Sequence, residues 1–168
     1  DSSLVSVRMA DNRRLCVATP EFLKRYGTPK VPSDLMRFRC LTLSSDASQT
    51  RGWAFRSPVA GKGQAGASQE GQHEVIHLRP SGPMDCSDGQ VLHDWCLAGH
   101  GIAWRSTWEV ESEINSGKLV PVLEEFAAPP NGIYAVFSQR KHLPLRLRLW
   151  IDFLKDHYGH ANYWSAAA

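Results

Sequence analysis

The sequence predicts an α/β fold, and three stretches carry that prediction. Residues 87–123 read in turn as helix, tight turn, buried strand, helix and strand when their apolar positions are set against periods of 3.6 and 2. Residues 4–26 read as two strands and a short capped helix, and residues 132–157 as a strand followed by a long amphipathic helix. A helix that opens just past the C-terminal end of a strand is where open α/β sheets place their ligands.

The elements follow in order. Leu4 to Met9 alternates, with Val5, Val7 and Met9 on one side, so a strand is expected there. Asp11-Asn12 supplies a turn and Arg14 to Ala18 a second strand. Thr19-Pro20 opens a helix, with Thr at the cap and Pro at the first helical position, where its missing N–H costs little. Phe22, Leu23 and Tyr26 bury one side of that helix, and Gly27 ends it. Ser33 is expected to cap a further turn over Asp34 to Arg37, and Cys40 to Leu43 to form a strand emptying into the polar loop Ser44 to Thr50. Trp53-Ala54-Phe55 and Glu74 to Leu78 read as two more strands. Their connector, Ser57 to Gln72, is rich in Gly, Ala, Ser and Gln and has no hydrophobic period, so a mobile hairpin loop is expected.

Ser87 and Gln90 have capping-box spacing, and Gly99 stands where a helix stops. Between them Val91, Leu92, Trp95 and Cys96 form one apolar stripe. Gly101-Ile102-Ala103-Trp104 suits a strand covered on both faces. Ser106 and Glu109 repeat the capping-box spacing, Val110 and Ile114 share a face, and Gly117 ends that helix. Lys118 to Leu123 reads as a strand, which Pro121 pushes toward a sheet edge or a crossover. Gly132 to Ser138 is a strand, and Pro144 opens the last helix, to about His157. Leu143, Leu147, Trp150, Ile151, Leu154 and Tyr158 make one apolar row along it, and Leu145, Leu149 and Phe153 a second. A lone surface helix does not need both.

The totals bound the function. A chain of 168 residues suits one domain or two small lobes. A formal charge of +2 gives no basic field of the kind that binds nucleic acid. No run approaches the roughly 18 apolar residues of a membrane span, and the N-terminus does not read as a signal peptide. Four cysteines without close pairing do not make a disulfide framework, so a reducing cytoplasmic setting is expected.

The central stretch also carries a resemblance. LAGHGIAWRSTWEV at 97–110 followed by INSGKLVPVL at 114–123 resembles the C-terminal half of LysR-type transcriptional regulators. RRLCVATPEFLKRYGTPKVPSDLMRFRCL at 13–41 and IYAVFSQRKHLPLRLRLWIDFLKDHYG at 133–159 are similar to further family segments in the same order, so the likeness spans nearly the whole chain. It implies an α/β effector domain resembling a type 2 periplasmic binding protein, with the second lobe complete and the first only partly present. Residues 1–12 would be the crossover strand from the first lobe and 13–123 the second lobe. Residues 124–159 would return to the first lobe, leaving 160–168 as a tail. DNA contact would fall to an N-terminal winged helix-turn-helix absent from this chain, and the doubly apolar last helix would favour self-association. No enzyme activity, cofactor or membrane contact is implied. A fragment of a transport solute-binding protein, which shares the fold, is the alternative.

The resemblance makes a cleft between lobes the place for a small organic anion. The strands Cys40–Leu43 and Gly101–Trp104 should point their C-terminal ends the same way. That would gather Ser44, Ser45, Arg105, Ser106 and Thr107 on one rim, near the helix start at Ser87 and Asp88. Helix N-termini, that of Thr19 included, offer N–H groups and partial positive charge, and Arg105 can grip a carboxylate with two parallel bonds. Capping alone would equally explain Ser87, Ser106 and Thr19, and Asp88, Glu21 and Glu109 already stabilise those helix starts. The family's usual GIALLP is here GIAWRS, which makes Trp104 and Arg105 candidates for tuning what the cleft accepts.

Other chemistries read poorly. His93, Cys96 and His100 fall at i, i+3 and i+7 with Cys86 upstream, but Gly99 should end the helix before His100 aligns, and Cys96 sits on the buried stripe. His73 and His77, and His157 and His160, are no better placed for a metal. Peroxide-sensing members of the family keep a reactive cysteine pair in the segment matching Ser44–Arg56, which here has none. Cys16, Cys40 and Cys96 are expected to be inert, and Cys86, beside Asp85 and Asp88, to have its thiolate disfavoured, so all four read as structural cysteines. No G-x-S-x-G and no phosphate-binding GK[ST] occurs.

Overall fold

The structure, a computed structural model, describes residues 4–44, 52–57, 74–138 and 144–159. Ser45 and the loop after it, the connector after Ser57, His73, Leu143, His160 and the tail lie outside the described residues. In chain order the elements are β1 (Leu4–Asn12), β2 (Arg14–Ala18), α1 (Pro20–Tyr26), a 3₁₀ turn (Pro32–Arg37), β3 (Cys40–Leu43), β4 (Trp53–Arg56), β5 (Val75–Leu78), β6 (Met84–Cys86), α2 (Gly89–Leu97), β7 (Ile102–Ser106), α3 (Thr107–Asn115), β8 (Val120–Val122), a second 3₁₀ turn (Glu124–Phe126), β9 (Asn131–Ser138) and α4 (Leu145–Tyr158). They divide into two units, residues 14–129 and residues 1–13 with 130–168.

The larger unit is built on a five-stranded sheet in the order β6-β3-β7-β2-β8. β3 runs parallel to both β6 and β7, and β2 is antiparallel to its two neighbours, β7 and β8. β8, the strand holding Pro121, takes one edge, where a residue without an N–H is tolerated. Side chains of β2 alternate between faces. Cys16 and Ala18 join Phe22, Leu35, Trp53, Phe55 and Ile102 on one side, and Leu15 and Val17 join Leu41, Leu92, Cys96, Ala103 and Val110 on the other. Both faces are covered, which is why Leu15–Ala18 of β2 and Ile102–Trp104 of β7 are apolar at every position. Leu35, Leu92 and Ile102 are fully buried, each worth about 1.5–3 kcal/mol of transfer free energy. β4 and β5 form a separate antiparallel pair, and Phe55 bridges to Ala127.

Caps decide where the helices start. Thr19 Oγ1 accepts from the Phe22 N–H at 3.2 Å and Pro20 follows at the first helical position, as expected. α2 differs from the expectation: its cap is Asp88, not Ser87. The Asp88 carboxylate accepts from the N–H groups of Gln90 (2.7 Å) and Val91 (3.0 Å), while the Gln90 amide turns forward to Asp94. A charged acceptor serving two N–H groups at the positive end of the helix outcompetes a hydroxyl one residue earlier. The turn after Pro32 is likewise held by Asp34, which accepts from Lys30 and Val31 N–H, rather than by Ser33. Gly27, Gly99 and Gly117 all follow helices with positive φ, the left-handed stop that glycine allows.

In the smaller unit β1 pairs antiparallel with β9, from Leu4 opposite Ser138 to Asn12 opposite Asn131. Asp11 and Asn12 are therefore strand residues and not the turn expected of them; a neighbouring strand satisfies their backbone before a local turn can. α4 packs on β1, and its covered side chains are Leu147, Ile151, Leu154 and Tyr158, of which Ile151 is buried and the others half-buried. The second row stays outside, with Leu149 at 59% and Phe153 at 54% exposure, and Trp150 joins it.

Candidate functional site

The parallel strands β6, β3 and β7 bring three C-terminal ends to one rim of the larger unit. Ser44 donates its N–H to the Cys86 carbonyl at 2.7 Å, which ties the end of β3 to the segment leading into α2. Across the same two strands Thr42 Oγ1 donates to Asp85 at 2.7 Å. Because β2 runs the other way, its first residue, Arg14, pairs with the last residue of β7, Ser106. The chain direction of one strand thus delivers a second arginine to this rim.

Arg105 lies beneath the start of α2. A Cβ built on Gly89 would stand 3.4 Å from both terminal guanidinium nitrogens, in ordinary van der Waals contact, which places the head of Arg105 against the first residue of α2. Arg105 Nη2 donates to Glu109 Oε1 at 3.0 Å, and Glu109 Oε2 accepts the Ser106 N–H at 3.1 Å. Trp104 points to the opposite face of the sheet and stacks on Trp53, with ring centroids 6.2 Å apart and planes 17° from parallel. The Arg14 guanidinium carbon sits 4.7 Å from the centre of the Trp104 ring, within cation–π range.

Between these groups is a cavity of about 100 Å³, walled by Leu41, Leu43, Leu92 and Trp53 and carrying Arg14, Arg105 and Glu109 as its charged groups. A larger one of about 250 Å³ shares Leu43 and Trp53 with it and extends past Thr42 to Arg79 and Gly82.

Of the residues singled out in the sequence, Ser44, Ser87, Asp88, Trp104, Arg105, Ser106 and Thr107 all come to this end of the sheet. Ser44, Ser87 and Asp88 are exposed, and Ser106 is buried. Asp88 is occupied as the α2 cap, so the first N–H groups of that helix are not offered to an anion. Thr19 is not brought to the rim. It follows the last residue of β2 and abuts Gly99, at the end of the sheet where β7 begins. Leu15 stands opposite Arg105 and Thr19 is four residues further along, so at a rise of about 3.3 Å per residue it lies roughly 13 Å from Arg105. Ser45 lies outside the described residues. Arg14 and Trp53 escaped the sequence reading, and Glu109 was read only as a helix-start charge.

The other chemistries fare as follows. Cys96 is a core residue, with Sγ against the Val17 carbonyl, while His93 faces Glu113 at 3.7 Å. Among the described residues no three potential ligands converge as a metal would need. Burial pushes the Cys40 and Cys96 thiols up to about 12, and it raises Cys16 well above its ordinary value, helped by the neighbouring Cys40. Cys86 Sγ donates to the Asp88 carbonyl. No helix among the described residues is long and apolar enough to cross a membrane.

Comparison with known proteins agrees with this geometry. The family model described as the LysR substrate binding domain matches residues 1–159. The HTH-type transcriptional regulator DmlR of Escherichia coli K12 is 33% identical over 156 residues, covering 93% of this chain and 46% of DmlR. The transcriptional regulator CrgA of Neisseria meningitidis is 31% identical over 160 residues, covering 95% of this chain and 48% of its own. The chain therefore spans about half the length of these relatives. The solved regulatory domain of CrgA superposes with a TM-score of 0.69 at 30% identity, over 95% of this chain and 71% of that one. The full-length virulence activator AphB of Vibrio cholerae gives 0.71 at 22% identity, over 94% of this chain and 49% of that one, a likeness of fold alone. The chain belongs to the LysR substrate-binding domain family: a regulatory domain with the type 2 periplasmic-binding-protein-like fold, not an enzyme.

Proposed function

We propose that this domain senses a small organic anion for a LysR-type DNA-binding regulator, and that the anion docks on the rim around Arg105. Residues 14–129 act as the second effector lobe, a few residues longer than the sequence expectation of 13–123, and residues 1–13 and 130–159 belong to the first. The observation that carries the reading is Arg105, buried beside a cavity whose charged groups are Arg14, Arg105 and Glu109. Such a domain transmits a signal only if the ligand binds one arrangement of the lobes better than the other; a shift from 1:99 to 99:1 needs about 5.5 kcal/mol of differential affinity. In the cytoplasm that difference would alter how helix-turn-helix segments outside these residues hold promoter DNA. The regulator would act as a dimer or tetramer. Nothing in the relatives favours the transport alternative.

Because one lobe supplies only part of the contacts, the isolated chain is expected to bind carboxylates with millimolar affinity. Titration calorimetry with small carboxylates, paired with NMR of the arginine side chains, tests this. Weak saturable binding that perturbs Arg105 supports the reading. Tight stoichiometric binding by this chain alone would refute the two-lobe mechanism. No perturbation of Arg105 into the tens of millimolar would refute the anion site.

A further inference from the structure

Building on the anion site just proposed, the Arg105–Glu109 pair says which anions the pocket accepts. A carboxylate gripping an arginine edge normally uses both oxygens. Glu109 uses one, Oε1, because Oε2 is engaged by the Ser106 N–H. The Nε–H of Arg105 is consequently buried without a hydrogen-bond partner, in a side chain only 7% exposed that lines the cavity. A buried charged donor left in this state is costly, which favours a small shift of the guanidinium when a ligand oxygen is present to receive it. The same glutamate sets a negative charge into the cavity wall.

We propose that Glu109 is the specificity-determining residue of this pocket, admitting one ligand carboxylate onto the Arg105 guanidinium and repelling a second, so that the site selects small monocarboxylates over dicarboxylates. The dimensions agree. A cavity of about 100 Å³ is well below the 300 Å³ or more of a drug-sized site and suits a carboxylate head on a short carbon chain. Leu41, Leu43 and Leu92 give that chain apolar walls. A second carboxylate in so small a space would meet Glu109 as well as Arg14, and Arg14 is already drawn onto the Trp104 ring, so the poorly screened repulsion from Glu109 decides the outcome.

The test compares the chain with its Glu109→Gln and Glu109→Asp variants. Glutamine keeps an acceptor for the Ser106 N–H while removing the charge, so the helix start survives; aspartate keeps the charge. Each protein is titrated with acetate, propionate, malonate and succinate at matched ionic strength, following the Arg105 Nε signal by NMR. Thermal melts establish that each variant is folded. The expected result is a monocarboxylate preference in the wild-type chain and in E109D, and a gain of about tenfold or more in relative dicarboxylate affinity in E109Q. An unchanged preference in E109Q overturns the proposal and leaves the anion site standing. Equal loss of preference in E109D and E109Q also overturns it, since charge would not be the cause. If no carboxylate moves the Arg105 signal in the wild-type chain, the anion site fails and the proposal with it.

Discussion

Reacting the native chain with an aromatic disulfide reagent should release one thiol equivalent quickly and three very slowly. The magnitude follows from burial. Cys40 and Cys96 are pushed from 9.0 up to about 12 by desolvation, and Cys16 is raised well above 9.0 for the same reason. Near pH 8 a thiol with a pKa of 9 is thiolate about one time in ten, and one at 12 about one time in ten thousand, so the attacking species falls about a thousandfold. Cys86, half-buried at the end of β6, lacks that cover. Absorbance of the released reagent gives the rates, and mass mapping of labelled peptides identifies the thiol, expected to be Cys86; denaturant should expose the other three. The reasoning fails if any of Cys16, Cys40 and Cys96 reacts in the native chain within tenfold of the denatured rate. The same shifts carry a sign for stability. The folded pKa lies above the unfolded one, so this contribution is fully present below about pH 9 and is lost as pH rises toward 12. A melting temperature that holds steady across that alkaline range would contradict it.

Two further predictions concern the helices. Asp88→Ala should cost about 1 kcal/mol in urea unfolding, because it removes the acceptor for two N–H groups; a change of less than about 0.3 kcal/mol would remove Asp88 as the cap. Introducing Leu149→Glu with Phe153→Glu should lower self-association in sedimentation velocity while moving unfolding by no more than about 0.5 kcal/mol, since both side chains are exposed. A wild-type chain that sediments as a monomer at every concentration would remove the basis of that prediction.

Much of this architecture was legible because local chemistry and tertiary packing ask for the same residues. Thr19-Pro20 opens a helix in any context, and Gly27, Gly99 and Gly117 each end one where the backbone must turn left-handed. The parallel pairing of β3 with β7 followed from two short buried runs, and it brought Arg105 and Ser44 to one end as expected. What escaped depends on register and direction. Nothing local says that β2 enters the sheet reversed, so neither the arrival of Arg14 opposite Ser106 nor the departure of Thr19 to the far end could be read from spacing. The choice between Ser87 and Asp88 as cap is a competition between adjacent polar groups, won by the one whose carboxylate reaches two donors. Asp11 and Asn12 look like a turn until a partner strand claims them. The last helix shows two apolar rows in the sequence, but only the structure separates the covered row from the open one, and it moves Trp150, expected in the first row, to the outside.

The reversed strand has a thermodynamic corollary. The walls of the small cavity come from residue 14 of β2, 41 and 43 of β3, 53 of β4, 89 and 92 of α2, 104 and 105 of β7 and 109 of α3, segments far apart in sequence that meet only in the folded larger unit. No partially folded form can recognise the guest, so occupancy and assembly are one cooperative event. At a hundred times its dissociation constant, a guest would deepen the native basin of the larger unit by about 2.7 kcal/mol. Ligand screening by thermal shift would therefore register binding here as resistance of the whole sheet to melting.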